Sequence, residues 1–153
     1  MILDGKRYIF PNLNNKKYLV KICKSNIDNE DMIFYIKNIL KKTKTEDIFV
    51  TIDFEFNRSQ DNTKREIALM QMNIDRNIDT NNIYLFYPPS LTKNQLDNLK
   101  EFLTNSHIKK LIHGGESLDI PYLFNNIFKI KEDQIKFCNN LFDKKYLCEF
   151  YNK

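Results

Sequence analysis

Between Phe49 and Asn57 the chain reads FVTIDFEFN, and this stretch constrains the fold more than any other. Its apolar positions, Phe49, Val50, Ile52, Phe54 and Phe56, are β-branched or aromatic and spell a strand bound for a protein interior. Asp53 and Glu55 interrupt it at positions i and i+2, so they project from one face with Cα atoms about 7 Å apart. Carboxylates are rarely buried alone, because removing the charge from water is expensive. A cation between the two acids resolves the conflict. So does an edge strand with a solvated face, or an aspartate that caps the following loop.

Around this strand the hydrophobic pattern changes period several times. KKYLVKIC (Lys16–Cys23) alternates as a strand, and the segment from Asn26 carries apolar residues at Met32, Ile33, Tyr35, Ile36, Ile39 and Leu40, the spacing of an amphipathic helix. After FVTIDFEFN come a turn (SQDNTKR), a strand over 66–74, a second turn, and a strand over 83–89 closed by two prolines. A helix with Thr92 as N-cap follows, then a short strand over 108–113 and a Gly-Gly turn. Next come a helix opening at Ser117 with Pro121 in its first turn, a last strand in QIKFCNNL, and a helix starting in FDKKYLCEFYNK. Three meandering strands followed by alternating helices and strands predict an α/β fold, a mixed sheet flanked by helices. The 153 residues suit one domain, with 1–46 as a lead-in strand and helix and 47–153 as the core.

A second acid site lies downstream. Asp119 falls in the first turn of the helix after LIHGG, where its charge suits the helix N-terminus whether or not it binds anything. Two neighbouring carboxylates stay ionised cheaply only with positive charge between them, and a hard cation such as Mg²⁺ takes oxygen ligands of this kind.

In order, VTIDFEFN, REIALMQMNI, NIYLFYPP and LDNLKEFLTNSHIKKLIHGGESLDIPYLF resemble the ribonuclease D-like branch of the DEDD 3′–5′ exonucleases, over roughly Lys17 to the last residue. The family's Asp-x-Glu motif matches Asp53 and Glu55, and its second-strand ALIQ matches Ala68 to Gln71. The aspartate of its second motif matches Asp119, and that of its Asp-Thr segment matches Asp143. The resemblance implies a ribonuclease H-like fold and catalysis by two divalent metals, Mg²⁺ or Mn²⁺, at Asp53, Glu55 and Asp119. It implies attack on the terminal phosphodiester of single-stranded RNA or DNA 3′ ends, with release of nucleoside monophosphates. The family's third motif, Tyr- or His-x-x-x-Asp, has no match: neither Tyr146 nor Tyr151 is followed by an acid four positions on, and Glu149 is a poor substitute. A truncated or split gene, with a second chain supplying the motif, accounts for this. An inactive module that binds nucleic acid or protein is the alternative.

Lys64, Arg65, Lys109 and Lys110 are candidates for phosphate contacts or are simply solvated. Phe54 and Phe56 are core or cleft-wall residues that could stack a terminal base. His113 reads as a packing or turn histidine, and Glu116 as a solvated turn residue. Cys23, Cys138 and Cys148 show no C-x-x-C spacing, and the two histidines are not spaced as zinc ligands. The net charge of +4 is compatible with an anionic partner without demanding one, and the 42% apolar and 29% charged content argues against disorder. No apolar run suits a bilayer and the N-terminus lacks a signal-peptide layout, so an intracellular, cytoplasmic or nuclear location away from membranes is expected.

Overall fold

The structure is a computed structural model that describes residues 2–4, 7–10, 16–61, 63–76, 78–114 and 118–143, the first two segments as backbone. In chain order the elements are β1 (Ile2–Asp4), β2 (Arg7–Phe10), β3 (Lys17–Ile22), α1 (Asn26–Leu40), β4 (Ile48–Arg58), β5 (Arg65–Asp75) and β6 (Thr80–Phe86). A 3₁₀ turn at Pro88–Ser90 leads to α2 (Lys93–Thr104), β7 (Ile108–Ile112), α3 (Asp119–Asn126), α4 (Lys131–Cys138) and β8 (Leu141–Asp143). The strands form one mixed sheet in the order β1-β2-β3-β6-β5-β4-β7-β8. β4, β5 and β6 are the expected antiparallel meander. After α2 the chain returns to the far side of β4, where β7 pairs in parallel, and β8 follows parallel to β7.

β4 alternates strictly from Ile48 to Glu55: Ile48, Val50, Ile52 and Phe54 are buried, while Phe49, Thr51, Asp53 and Glu55 are exposed. Across the meander, the register lines up Phe54 with Met70 and Phe86, and Ile52 with Met72 and Tyr84, on the buried face. Met32, Ile33, Ile36 and Ile39 of α1, Leu99, Phe102 and Leu103 of α2, Leu123 of α3 and Phe137 of α4 join the same core. The described helices therefore cover one face of the sheet, and the other face of β4 is open. The ladder between β4 and β5 contains a bulge. Glu55 pairs with Leu69 but Phe56 with Ile67, so Ala68 is an extra residue in β5.

Polar contacts fix the helix ends. Ser25 caps α1 by accepting from the Asp28 N–H, and Thr92 with Gln95 forms a capping box on α2. The fully buried Gln95 also donates to Asn26 Oδ1 (2.9 Å) and Glu30 Oε1 (2.6 Å), tying the start of α2 to α1. Lys110 points from β7 into the core with no exposed surface, its ammonium donating to Leu103 C=O (2.8 Å) and Asn139 C=O (3.0 Å). These carbonyls lie at the C-terminal ends of α2 and α4, where a cation also suits both helix dipoles. Burial pushes the Lys110 amine down to about 8.

Three expectations need correction or addition. QIKFCNNL is not a strand: Lys131–Cys138 is α4, with Glu132 and Asp133 in its first turn and Lys136 in its last. Ile135 and Phe137 mimic strand alternation, but Phe137 stacks on Phe128 at 4.7 Å while Ile135 is 56% exposed. The helix read from Phe142 begins instead as strand β8, and 144–153 lie outside the described residues. β1 and β2 were not anticipated, although the Asp-Gly pair at positions 4 and 5 is a hairpin signal. Among the described residues no helix is long and apolar enough to cross a membrane.

Candidate active site

The alternation of β4 sends Asp53 and Glu55 to the open face, opposite Gln71 and Leu69 of β5. Asp53 Oδ1 accepts from the Phe54 N–H at 3.0 Å, which orients one carboxylate oxygen and leaves the other to the surroundings. Beside it runs an open groove of about 490 Å³, lined by Thr51, Asp53, Gln71, Leu111 and His113 among others. His113 is exposed on the groove wall in the bend after β7, so of the packing and turn alternatives it is the turn that fits.

Asp119 comes from the opposite direction. Tyr122 of α3 packs on Phe54 (ring centroids 5.4 Å apart) and Phe56 (5.9 Å), which docks the helix against β4. Asp119 precedes Tyr122 by three positions, nearly one turn, at the start of the same helix. Ser117, expected as its cap, lies outside the described residues; Leu118 occupies the N-cap position without a side-chain bond. β8 supplies the fourth acid: Asp143 Oδ1 accepts from the Gly114 N–H at 2.8 Å, and Gly114 has φ 61, a left-handed conformation suited to glycine. Partial burial, then the negative charges of Asp53, Asp143 and Glu55, push the Asp119 carboxyl up to about 6. Acids distant in sequence thus share one electrostatic field.

Among the described residues no three His, Cys, Asp or Glu side chains form a ready cage for a metal ion. The donor set nonetheless fits a hard divalent cation in kind, being all carboxylate oxygen and mutually repelling. Burial first, and repulsion from the neighbouring carboxylates second, raise Asp119. The same repulsion sets a stability test. A carboxyl raised from 3.8 to about 6 binds its proton more tightly in the folded state, so ionisation costs stability as pH climbs through that window. Asp119→Asn is therefore expected to stabilise the metal-free protein at pH 7 by about 1–2 kcal/mol, after allowance for partial exposure, with the gain fading toward pH 4. Chemical denaturation at the two pH values checks it; a destabilised variant at pH 7 would contradict the crowding.

The residues read as nucleic-acid contacts separate. Phe54 is 6% exposed and belongs to the core, so it does not stack a base, whereas Phe56 is half-buried against Tyr122. Lys110 is consumed as a helix cap, which corrects its reading as a phosphate contact. Lys109 lies opposite Phe49, four residues before Asp53, with its ammonium 3.9 Å from Asp47 Oδ1 and 5.0 Å from the Phe49 ring. It serves the other end of the strand. Glu116 lies outside the described residues. Sequence reading missed Tyr122, whose role depends on α3 meeting β4.

The mixed sheet, with the acid pair on the interior strand β4, is an α/β fold matching that of ribonuclease D-like exonuclease domains. The solved structures agree on the fold. The chain is similar to RNase D of Trypanosoma brucei, with 16% identity and a TM-score of 0.55 over 81% of this chain and 37% of that one. It is also similar to the Nibbler EXO domain of Aedes aegypti, with 13% identity and a TM-score of 0.58 over 88% of this chain and 56% of that one. The T. brucei enzyme has also been solved in complex with RNA U12 (15% identity, TM-score 0.53, 81% of this chain and 37% of that one). No model of a known protein family matches the sequence. Among curated proteins, "Uncharacterized protein L533" of Acanthamoeba polyphaga mimivirus is 33% identical over 149 residues, 92% of this chain and 27% of that protein. The chain thus spans about a quarter of that relative's length.

Proposed function

We propose that this chain is a metal-dependent 3′–5′ exonuclease domain that hydrolyses terminal phosphodiester bonds of single-stranded RNA or DNA. The reading is supported by the carboxyl of Asp119, pushed up by partial burial and then by the charges of Asp53, Asp143 and Glu55, on a fold like that of RNase D of Trypanosoma brucei. The T. brucei complex with RNA U12 supports nucleic acid as the ligand. Asp53, Glu55 and Asp119 are the residues that would hold Mg²⁺ or Mn²⁺. When bound, the cation would activate water and stabilise charge on the phosphate.

The chain's own residues do the rest. β4 holds two carboxylates on a rigid strand, and α3 brings the third on a separate element. The open groove beside Asp53 gives a strand end lateral access. Until a cation neutralises them, the acids repel a polyanionic substrate, so binding at the reacting bond and hydrolysis depend on the same ion.

Single strands labelled at the 5′ end, incubated with Mg²⁺ or Mn²⁺, should give a ladder of products shortened from the 3′ end, and chelator should abolish it. Either cation should also raise the melting temperature of the unmodified protein, and not that of Asp53→Ala, because ligand binding to the folded state stabilises it. The lack of a ready cage among the described residues favours a second reading, a non-catalytic nucleic-acid- or protein-binding module. That reading requires binding with neither cleavage nor a metal-dependent melting shift.

A further inference from the structure

The groove of about 490 Å³ beside Asp53 carries a donor-bearing side chain on each side of that acid. Gln71 of β5 is the direct cross-strand partner of Asp53. On the other flank, β7 runs parallel to β4 with Leu111 level with Thr51. Two residues further on, just past the end of β7, His113 comes level with Asp53. Alternation puts Leu111 and His113 on one face, the face of Thr51 and Asp53. Neighbouring strands lie about 4.8 Å apart, which sets Gln71, Asp53 and His113 in one row across the open side of the sheet. All three are exposed, and all three line the groove.

The rest of the lining is Thr51, Ile52, Leu111 and Ile112, so among the described residues no lysine or arginine enters the groove. Neither Gln71 nor His113 makes a side-chain hydrogen bond or ion pair with another described residue. A cleft of this size, with apolar walls and a few convergent polar groups, suits a ligand as large as a nucleotide. Uncharged donors also suit a position beside carboxylates. A lysine there would pair with Asp53 and compete with a cation for it. A carboxamide carries no charge, and an imidazole needs none to donate an N–H. Both can therefore hold phosphate or sugar oxygens and leave the acids to a metal.

We propose that Gln71 and His113 are substrate contacts that hold the 3′-terminal nucleotide in this groove, each donating a hydrogen bond to a phosphate or sugar oxygen on its own side of Asp53. The half-buried Leu111 and the buried Ile112 supply the apolar wall against which the sugar or base rests. This deepens the exonuclease reading and rests on it for the identity of the ligand. Neither residue is assigned to the metal, so the grip and the chemistry of the acids are separable.

The test compares the unmodified protein with Q71A, H113A and Q71A/H113A in Mn²⁺. Two quantities are read. One is the KM and kcat for shortening of 5′-labelled oligo-uridylate. The other is the calorimetric affinity for uridine 5′-monophosphate, a probe with no phosphodiester bond to cleave. The double variant should raise KM and weaken monophosphate binding by at least about tenfold each, for two lost hydrogen bonds, with kcat within about threefold. Mn²⁺ should still raise its melting temperature, because the carboxylates are untouched. Gln71→Met, which fills the space without donating, should lose as much as Gln71→Ala. His113→Gln, which keeps a donor, should recover most of the loss of His113→Ala; a merely structural role would move neither readout. A double variant within twofold of the unmodified protein in both readouts overturns the grip. So does a Gln71→Met protein with full affinity, or an unmodified protein that binds no monophosphate. Strand shortening that continues beside any of these results leaves the exonuclease reading standing. Monophosphate binding that needs both residues, with no strand shortened, supports the grip and overturns that reading instead.

Discussion

Asp53→Ala is expected to lower the rate of 3′-end shortening by roughly a thousandfold or more while leaving the protein folded. The side chain is exposed on the open face of β4, and its hydrogen bond runs to the adjacent Phe54 N–H. Little stability is at stake, within about 0.5 kcal/mol for a surface position of this kind. Chemistry and folding therefore separate at this residue. Glu55→Gln sharpens the result, because the carboxamide keeps the shape and removes the charge. It should lose activity with Asp53→Ala, and its melting curve should overlay that of the unmodified protein. Rates are read from gel-resolved products at saturating Mn²⁺. If shortening continued unchanged in both variants, the acids assigned here would not be the catalytic ones.

Lys110→Ala should be the most damaging single substitution away from the acids, costing about 3 kcal/mol or more. It deletes a buried stem from the core and leaves Leu103 C=O and Asn139 C=O without their donor, at two helix ends together. For a chain of this size that corresponds to a melting temperature lower by roughly 6–12 °C. Lys110→Met isolates the polar part, since it fills the space without donating. The pH dependence gives a further check. With its folded value lowered by burial to about 8 from 10.5, the amine holds more protons in the unfolded state across that window. The unmodified protein therefore gains stability as pH rises from 8 to 10.5, and its advantage over Lys110→Met widens. A loss below about 0.5 kcal/mol in Lys110→Ala would refute the double-cap role.

The meander, the strand β7 and the shared face of Asp53 and Glu55 were legible because period-2 alternation fixes the face of every residue in a strand. What alternation does not reveal is which face the helices leave bare. The stretch around Phe49 reads as wholly interior, yet Phe49 is 47% exposed on the side shared with the acids. Lys110 was misread for a related reason: a lysine beside another lysine looks solvated until the strand's neighbours show that one of the two points inward. In α4, short length and the Ile135–Phe137 alternation outweighed the charge placement that marked a helix. The pairing of Asp53 with Gln71 could not be read at all, since cross-strand register depends on the bulge as well as on the turn.

That bulge has a consequence for how such a molecule can diversify. Ala68 is surplus to the pairing, and the residues flanking it keep their partners on β4. Its removal would relax the local coiling of the hairpin while every buried neighbour stayed in place. The offset between the hairpin turn and the acidic pair is then adjustable by a single residue of chain length, and the surface at that end of the sheet can drift without any change to the interior.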